Sequence, residues 1–321
     1  MAIERISCAP DGGINEDLVA VFENDGLVDL LVLDGASSVA DSNYADADQG
    51  DVAWFVQAFV AALGPLLDAA RSQADSVRLA IDSVGRAYAG QTAGQHVPLY
   101  ACPLAALSWI RIRRNSSGGL ALSLYCLGDC KVFAIDADGV VIDLDPWVNP
   151  FETVVQEAVA ALAREGVSDP AERRARMLPL LRARREAQHS AAAPASLCLA
   201  PRGPFQARTH ALDLPAHCAV LAMTDGFNRL ADTYGLYTQE DLVRRCRSAG
   251  LAGLARELRD HETARASTLA VKNADDASAL MWTPDGVDSL YSSSYSSSCS
   301  SSNNPSIRPG PASARTAEET A

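Results

Sequence analysis

The chain has 321 residues, of which 48% are apolar and 21% charged, with 40 acidic against 27 basic side chains and a net charge of −13. That composition supports a real hydrophobic core in one large domain or two small ones. The acidic excess argues against a nucleic-acid surface, which needs Lys and Arg to neutralise phosphates. No run approaches the ~18 uninterrupted apolar residues of a membrane helix, and the opening MAIERISCAPDGG carries no apolar h-region. The eight Cys are scattered without a CxxC pair or a zinc spacing, which reads as buried or free thiols in a reducing cytoplasm.

Taken in chain order, residues 18–23 and 28–33 read as two strands joined at Asp25 and Gly26, a strong two-residue hairpin signal. If the turn is centred there, paired residues sum to 51. Residue 17 then stands opposite residue 34, with Cβ atoms roughly 5 Å apart. Val52, Phe55, Val56, Phe59, Val60 and Leu63 follow helical spacing over 51–63, ended by Gly64 and Pro65. Val77, Ala80, Ile81, Val84 and Tyr88 predict a second amphipathic helix. Strands return over 104–144 as ALSWIRIR, LALSLYCL, KVFAID and GVVIDL, separated by turns at 115–119, 128–129 and 138–139.

Residues 151–192 are rich in Ala, Arg and Glu and read as inserted helices, with Pro170 and Pro179 as breaks. Residues 205–214 and 218–224 predict two more strands, 238–262 a helix and 278–282 a last strand. Strand runs separated by helix pairs, without βαβ alternation, predict antiparallel sheets with helices outside them. The ordered domain is predicted over 1–285. From 286 to 321 a serine tract and a Pro/Ala/Thr tail have too few apolar residues to offset ordering entropy, which predicts disorder.

Four acidic stations punctuate these elements. Glu16 and Asp17 precede LVAVFE, Asp34 and Gly35 close VDLLVL, Asp225 and Gly226 close CAVLAMT, and Asp275 and Asp276 precede SALMW. Four other Asp-Gly pairs, at Asp11, Asp25, Asp138 and Asp285, read as plain turns. Asp34 and Asp225 differ because each ends an apolar run. Carboxylates converging on one rim repel one another, so cations are their natural partners, and an oxygen-only set suits Mg²⁺ or Mn²⁺.

The order NED, LVLDGAS, GDCKVFAID, VLAMTDGF and DDASAL resembles the metal-dependent protein phosphatases of type 2C over about residues 7–282, and DGAS followed by a helix starting DVAWFV is similar to their stand-alone bacterial members. The resemblance implies an α+β fold, a four-layer αββα sandwich of two antiparallel sheets flanked by helices. It implies two Mg²⁺ or Mn²⁺ ions, with a weaker third. Asp34 would bridge both ions, Gly35 would offer its carbonyl, and Asp225 and Asp275 would complete the ligands of the first ion. Glu16 and Asp17 would act mostly through bound waters, and Asp129 would hold the third ion. Asp276 stands where the family often has Asn, so either Asp275 or Asp276 is the ligand. The family's phosphate-binding Arg position is Gly12 here, with Arg5 as a nearby substitute. Ala36 replaces a His that often follows the Asp-Gly pair, and ASSVADSN replaces the family's GHGG loop.

The resemblance implies hydrolysis of phosphoserine and phosphothreonine in protein substrates, with catalysis by Asp34, Asp225 and Asp275 and neither nucleic acid nor membrane as partner. Two alternatives stand beside it: a pseudophosphatase used as a binding module, and a phosphatase of small phosphate esters. The sequence sets no oligomeric state. The five His are isolated and read as structural. Ser37 and Ser38 read as loop serines, since no GxSxG elbow surrounds them. Arg173, Arg174, Arg176, Arg182, Arg184 and Arg185 read as the solvated face of a helix, with substrate or partner docking as the lesser reading.

Overall fold

The turn at Asp25 and Gly26 forms as its sequence requires. Both residues have positive φ, 45° and 81°, the requirement of a type I′ hairpin turn. Strands β2 (Leu18–Asn24) and β3 (Leu27–Gly35) pair antiparallel with Leu18 opposite Leu33, which is the predicted register. The computed structural model describes residues 1–10, 13–264 and 274–285. Met1–Asp288 forms one compact unit; a second, Ser289–Ala321, lies wholly outside the described residues, as do Gly12 and the serine tract.

Two antiparallel sheets carry the fold. The first runs β2-β3-β4-β5-β9, with β4 at Leu104–Arg114, β5 at Leu120–Leu127 and β9 at Arg208–Leu214; the short β8 (Leu197–Cys198) pairs with β4. The second runs β1-β11-β10-β6-β7, from β1 (Ala2–Cys8) and β11 (Ala277–Thr283) through β10 (Ala219–Met223) and β6 (Lys131–Ile135) to β7 (Val141–Asp143). Side chains alternate faces along a strand, and both sheets are apolar on both faces. Each therefore needs a cover on either side.

Leu30, Val32, Ile110 and Ile112 of the first sheet meet Val220, Ala222, Leu280 and Trp282 of the second in the central layer. On the outer face of the first sheet, Leu31, Leu33, Leu107 and Trp109 are covered by Phe55 and Phe59 of α1 (Asp51–Leu63) and by Val77 and Ile81 of α2 (Gln73–Gln91). On the outer face of the second, Leu221, Met223 and Ala279 are covered by Leu242 and Val243 of α6 (Gln239–Ala249) and by Leu254 and Leu258 of α7 (Leu251–Ala264). The result is the four-layer αββα sandwich that the family resemblance implies. Each fully buried Val, Leu, Ile, Met or Phe among them contributes on the order of 1.5–3 kcal/mol.

Several elements differ from the sequence reading. Strand β1 carries only scattered apolar residues, and its order comes from pairing with β11, Ala2 opposite Thr283. The helix expected over 238–262 is two helices, divided at Gly250 with φ 80°. The insert is α3 (Pro150–Arg164) and α4 (Pro170–Ser190). Pro170 starts α4, where a missing N–H costs nothing, but Pro179 lies inside the helix and does not break it. Arg174 before it and Arg182 and Arg185 after it are all bonded to the loop at 36–41, which holds the two halves in line. Among the described residues no helix is long and apolar enough to cross a membrane.

Candidate functional site

The inner faces of the two sheets end in carboxylates at the same end of the central layer. Asp17 continues the alternation of Val19 and Val21, and Asp34 that of Leu30 and Val32, so both point between the sheets. From the second sheet, Thr224 continues Val220 and Ala222, while Ser278 and Asp276 continue Trp282 and Leu280. The acidic stations therefore come from two sheets that share one end, rather than from the rim of a single sheet. Asp225 opens the short helix α5 (Asp225–Asn228), an element that the sequence reading did not anticipate.

Hydrogen bonds sew the two sides together. Thr224 Oγ1 donates to Asp17 Oδ2 at 2.9 Å and accepts from Ser278 N at 3.0 Å. Asp225 N donates to Asp34 Oδ2 at 3.4 Å, and Glu16 N to Asp276 Oδ2 at 2.6 Å. Asn15 Nδ2 donates to Ser7 Oγ at 2.8 Å, and Ser278 Oγ to the same oxygen at 2.8 Å, which brings β1 into the network. Thr224 and Ser278, fully buried here, were not singled out from sequence. Their signal is the polar residue that replaces an apolar one at the end of an inward-facing series.

Both Asp-Gly glycines are explained by close approach. A Cβ on Gly35 would overlap the Glu16 carbonyl oxygen and stand 2.6 Å from Val52 Cγ1; one on Gly226 would overlap the Asp276 carbonyl oxygen. The glycines let one acidic station press against another, and neither is needed here for a left-handed turn.

The electrostatics follow from this crowding. Burial, then the charge of Asp276, raises the Asp17 carboxyl well above its ordinary value, against the lowering effect of Thr224. Burial, then Asp225, Asp17 and Asp129, raises Asp34 likewise. Enclosure by protein, then the charges of Asp129 and Asp275, raises Asp225, although its outer edge meets solvent. Asp275 is held by Arg229 Nη2 at 3.1 Å and Asp129 by Asn149 Nδ2 at 2.8 Å. Among the described residues, no group of three or more His, Cys, Asp or Glu side chains is placed to hold a metal ion. The donor set of carboxylate and carbonyl oxygens nevertheless suits hard divalent cations, and the charge imbalance at the rim fits them.

Arg5 lies exposed on β1 opposite Leu280, two residues before Ser7. The Arg-rich run is not a solvated face. Arg173 and Arg185 are buried, and Arg174, Arg182 and Arg185 bond the backbone that follows Gly35. His210 caps a buried ion pair, its Nε2 3.1 Å from Asp145, and His189 Nε2 lies 3.1 Å from the Cys102 carbonyl, both structural placements.

An αββα sandwich with a carboxylate-lined end to its central layer defines the class of fold and site. A family model described as protein phosphatase 2C matches residues 6–261, and the chain belongs to that family. No curated protein matches it. Among solved structures, the Mycobacterium tuberculosis serine/threonine phosphatase PstP/Ppp is 15% identical, with 88% of this chain and 98% of that one covered at a TM-score of 0.47. The S. agalactiae serine/threonine phosphatase is 14% identical, with 88% and 99% covered at 0.48. PppA, a regulatory component of T6SS in Pseudomonas aeruginosa, is 17% identical, with 87% and 96% covered at 0.46.

Proposed function

We propose that the protein is a Mg²⁺- or Mn²⁺-dependent phosphatase acting on phosphoserine and phosphothreonine in proteins. The observation that carries this reading is the convergence of Asp17, Asp34, Asp225 and Asp276 from two sheets on one end of the central layer, tied by Thr224 to Asp17, in a chain of the protein phosphatase 2C family. Asp34, the Gly35 carbonyl, Asp225 and Asp275 would hold two cations directly. Glu16 and Asp17 would act through water, Asp276 is the neighbouring alternative to Asp275, and Asp129 would serve a weaker third ion.

When bound, such cations supply an activated water and offset charge on the phosphoryl oxygens. The chain's own part is placement. Thr224 fixes the Asp17 carboxylate by donating to Oδ2, Asp225 N–H fixes Asp34, and Asn149 fixes Asp129. Gly35 and Gly226 let the acidic backbones meet. No protein nucleophile is required by this chemistry.

The test is hydrolysis of p-nitrophenyl phosphate with Mn²⁺, with and without EDTA, against Asp34→Ala and Asp225→Ala. Equal rates in all proteins would overturn the proposal. One observation favours the second reading, a regulatory module that binds no metal: Arg229 already pairs with Asp275. Calorimetric titration with Mn²⁺ separates the two, since the module would show no binding.

A further inference from the structure

Helix α4 is fastened to the segment that follows Asp34 and Gly35 by three guanidinium groups. Arg185 Nη2 donates to the Ala36 and Ser37 carbonyls at 3.0 and 2.9 Å, Arg174 Nη2 to Ser38 at 2.8 Å, and Arg182 Nε to Val39 at 2.9 Å. Arg182 also pairs with Asp41 at 2.6 Å. A helix turns about 100° per residue, which places 174, 182 and 185 within roughly 80° of one another. Position 184 is turned off that stripe by about 80° or more. A stripe fixed against four successive carbonyls therefore fixes the direction in which Arg184 leaves the helix.

That direction leads to the acidic end. The Arg184 guanidinium carbon lies 4.7 Å from the centre of the Phe151 ring. Phe151 is in the first turn of α3, and its N–H donates to Asn149 Oδ1 at 3.0 Å. Asn149 in turn donates Nδ2 to Asp129 at 2.8 Å. One aromatic ring and one amide thus separate Arg184 from Asp129. Gln188, one turn on, offers its amide oxygen to Arg184 Nη1 and Nη2 at 3.1 and 2.8 Å in the orientation that satisfies both of its amide atoms.

Arg229 and Arg185 also border this end among the described residues, and the Nη1 of each is enclosed in protein without a hydrogen bond. Arg229 holds Asp275, and Arg185 is buried against backbone carbonyls. Arg184 is half-exposed, stacked on a ring that fixes its plane, with N–H groups left to offer. A phosphomonoester dianion approaching several carboxylates needs such a cation, and the planar fork of Arg matches two phosphoryl oxygens at once. Resting on the phosphatase reading above, we infer that Arg184 binds the phosphoryl oxygens of the substrate at the acidic end, held there by the clamp of α4.

The experiment uses the full chain with Mn²⁺, comparing wild type with Arg184→Ala, Arg184→Lys and Arg184→Gln. Calorimetric titration with inorganic phosphate measures binding, and p-nitrophenyl phosphate turnover measures kcat/KM. The expected result is phosphate affinity and kcat/KM about tenfold or more lower in Arg184→Ala, partial recovery in Arg184→Lys, and Mn²⁺ binding unchanged. Arg184→Gln keeps a stem over Phe151 and stands in if the alanine variant does not fold. An active wild type with phosphate affinity unchanged in the variants overturns this inference alone. A wild type that neither turns over the ester nor binds phosphate overturns the proposed function and this inference with it.

Discussion

Thr224 Oγ1 donates to Asp17 Oδ2 at 2.9 Å, a bond between the end of β10 in one sheet and the residue before β2 in the other. Both groups are buried, at 0% and 7% exposure, so water cannot replace the lost partner. Thr224→Val removes the hydroxyl at constant shape and is expected to lower stability by about 1–3 kcal/mol, the cost of leaving a buried hydrogen-bonding group unsatisfied. Thr224→Ser is expected to restore most of it. Urea denaturation of the two variants checks this, with equal loss in both counting against the bond.

Glycine has two different roles in this chain, and alanine substitution tells them apart. At Gly226 a Cβ would overlap the Asp276 carbonyl oxygen, which is backbone and cannot swing aside. Gly226→Ala is expected to cost about 1–3 kcal/mol or more from overpacking and to displace the acidic end. Gly85, inside α2, has nothing within 4 Å of its added Cβ. Gly85→Ala is expected to stabilise by about 0.5–1 kcal/mol through helix propensity alone. Thermal melts of both variants read the opposite signs.

Arg185 is 6% exposed and donates one nitrogen to two backbone carbonyls. Its removal leaves those carbonyls without their partner and a void beneath α4. We expect Arg185→Ala to destabilise by about 2–4 kcal/mol, combining lost hydrogen bonds with a cavity. Arg185→Lys is expected to recover less than half of that, because a more strongly hydrated ammonium is costlier to bury against backbone carbonyls. Hydrogen exchange over residues 36–41 is expected to speed up in both variants.

The buried Asp145 predicts a pH dependence away from the acidic end. Burial alone would raise its carboxyl, but hydrogen bonds and charge from Arg208, then His210, outweigh that and hold it below its ordinary value. Asp143 and Cys126 also face it. A depressed folded-state value means the carboxylate stabilises the fold at pH above its unfolded value of about 4. That contribution is lost as pH falls through the folded value. Melting curves of wild type and Asp145→Asn from pH 7 down to pH 2.5 are expected to differ most at neutral pH and to converge at the acid end.

How much of this was legible in the residues depends on the range of the interaction concerned. The register of β2 and β3 could be read from Asp25 and Gly26 because a two-residue turn and a period of two leave no other pairing that keeps Leu30 and Val32 on one face. The helical stripes at 51–63 and 77–88 were equally local, since a 3.6-residue period is a property of the chain itself. The placing of Asp17 across from Asp34 followed from the same arithmetic.

What tertiary structure alone decided was long-range. β1 is a strand because β11, some 280 residues later, offers it an edge. The acidic stations belong to two sheets because each sheet has two apolar faces and must stack, which no single segment specifies. Arg174, Arg182 and Arg185 looked like a solvated face because their partners are backbone carbonyls, and backbone carries no sequence signal. The type and period of each element are set by its own residues. The choice of which faces bury one another, and therefore where charged side chains come to rest, is made only when distant segments compete for the same apolar surface.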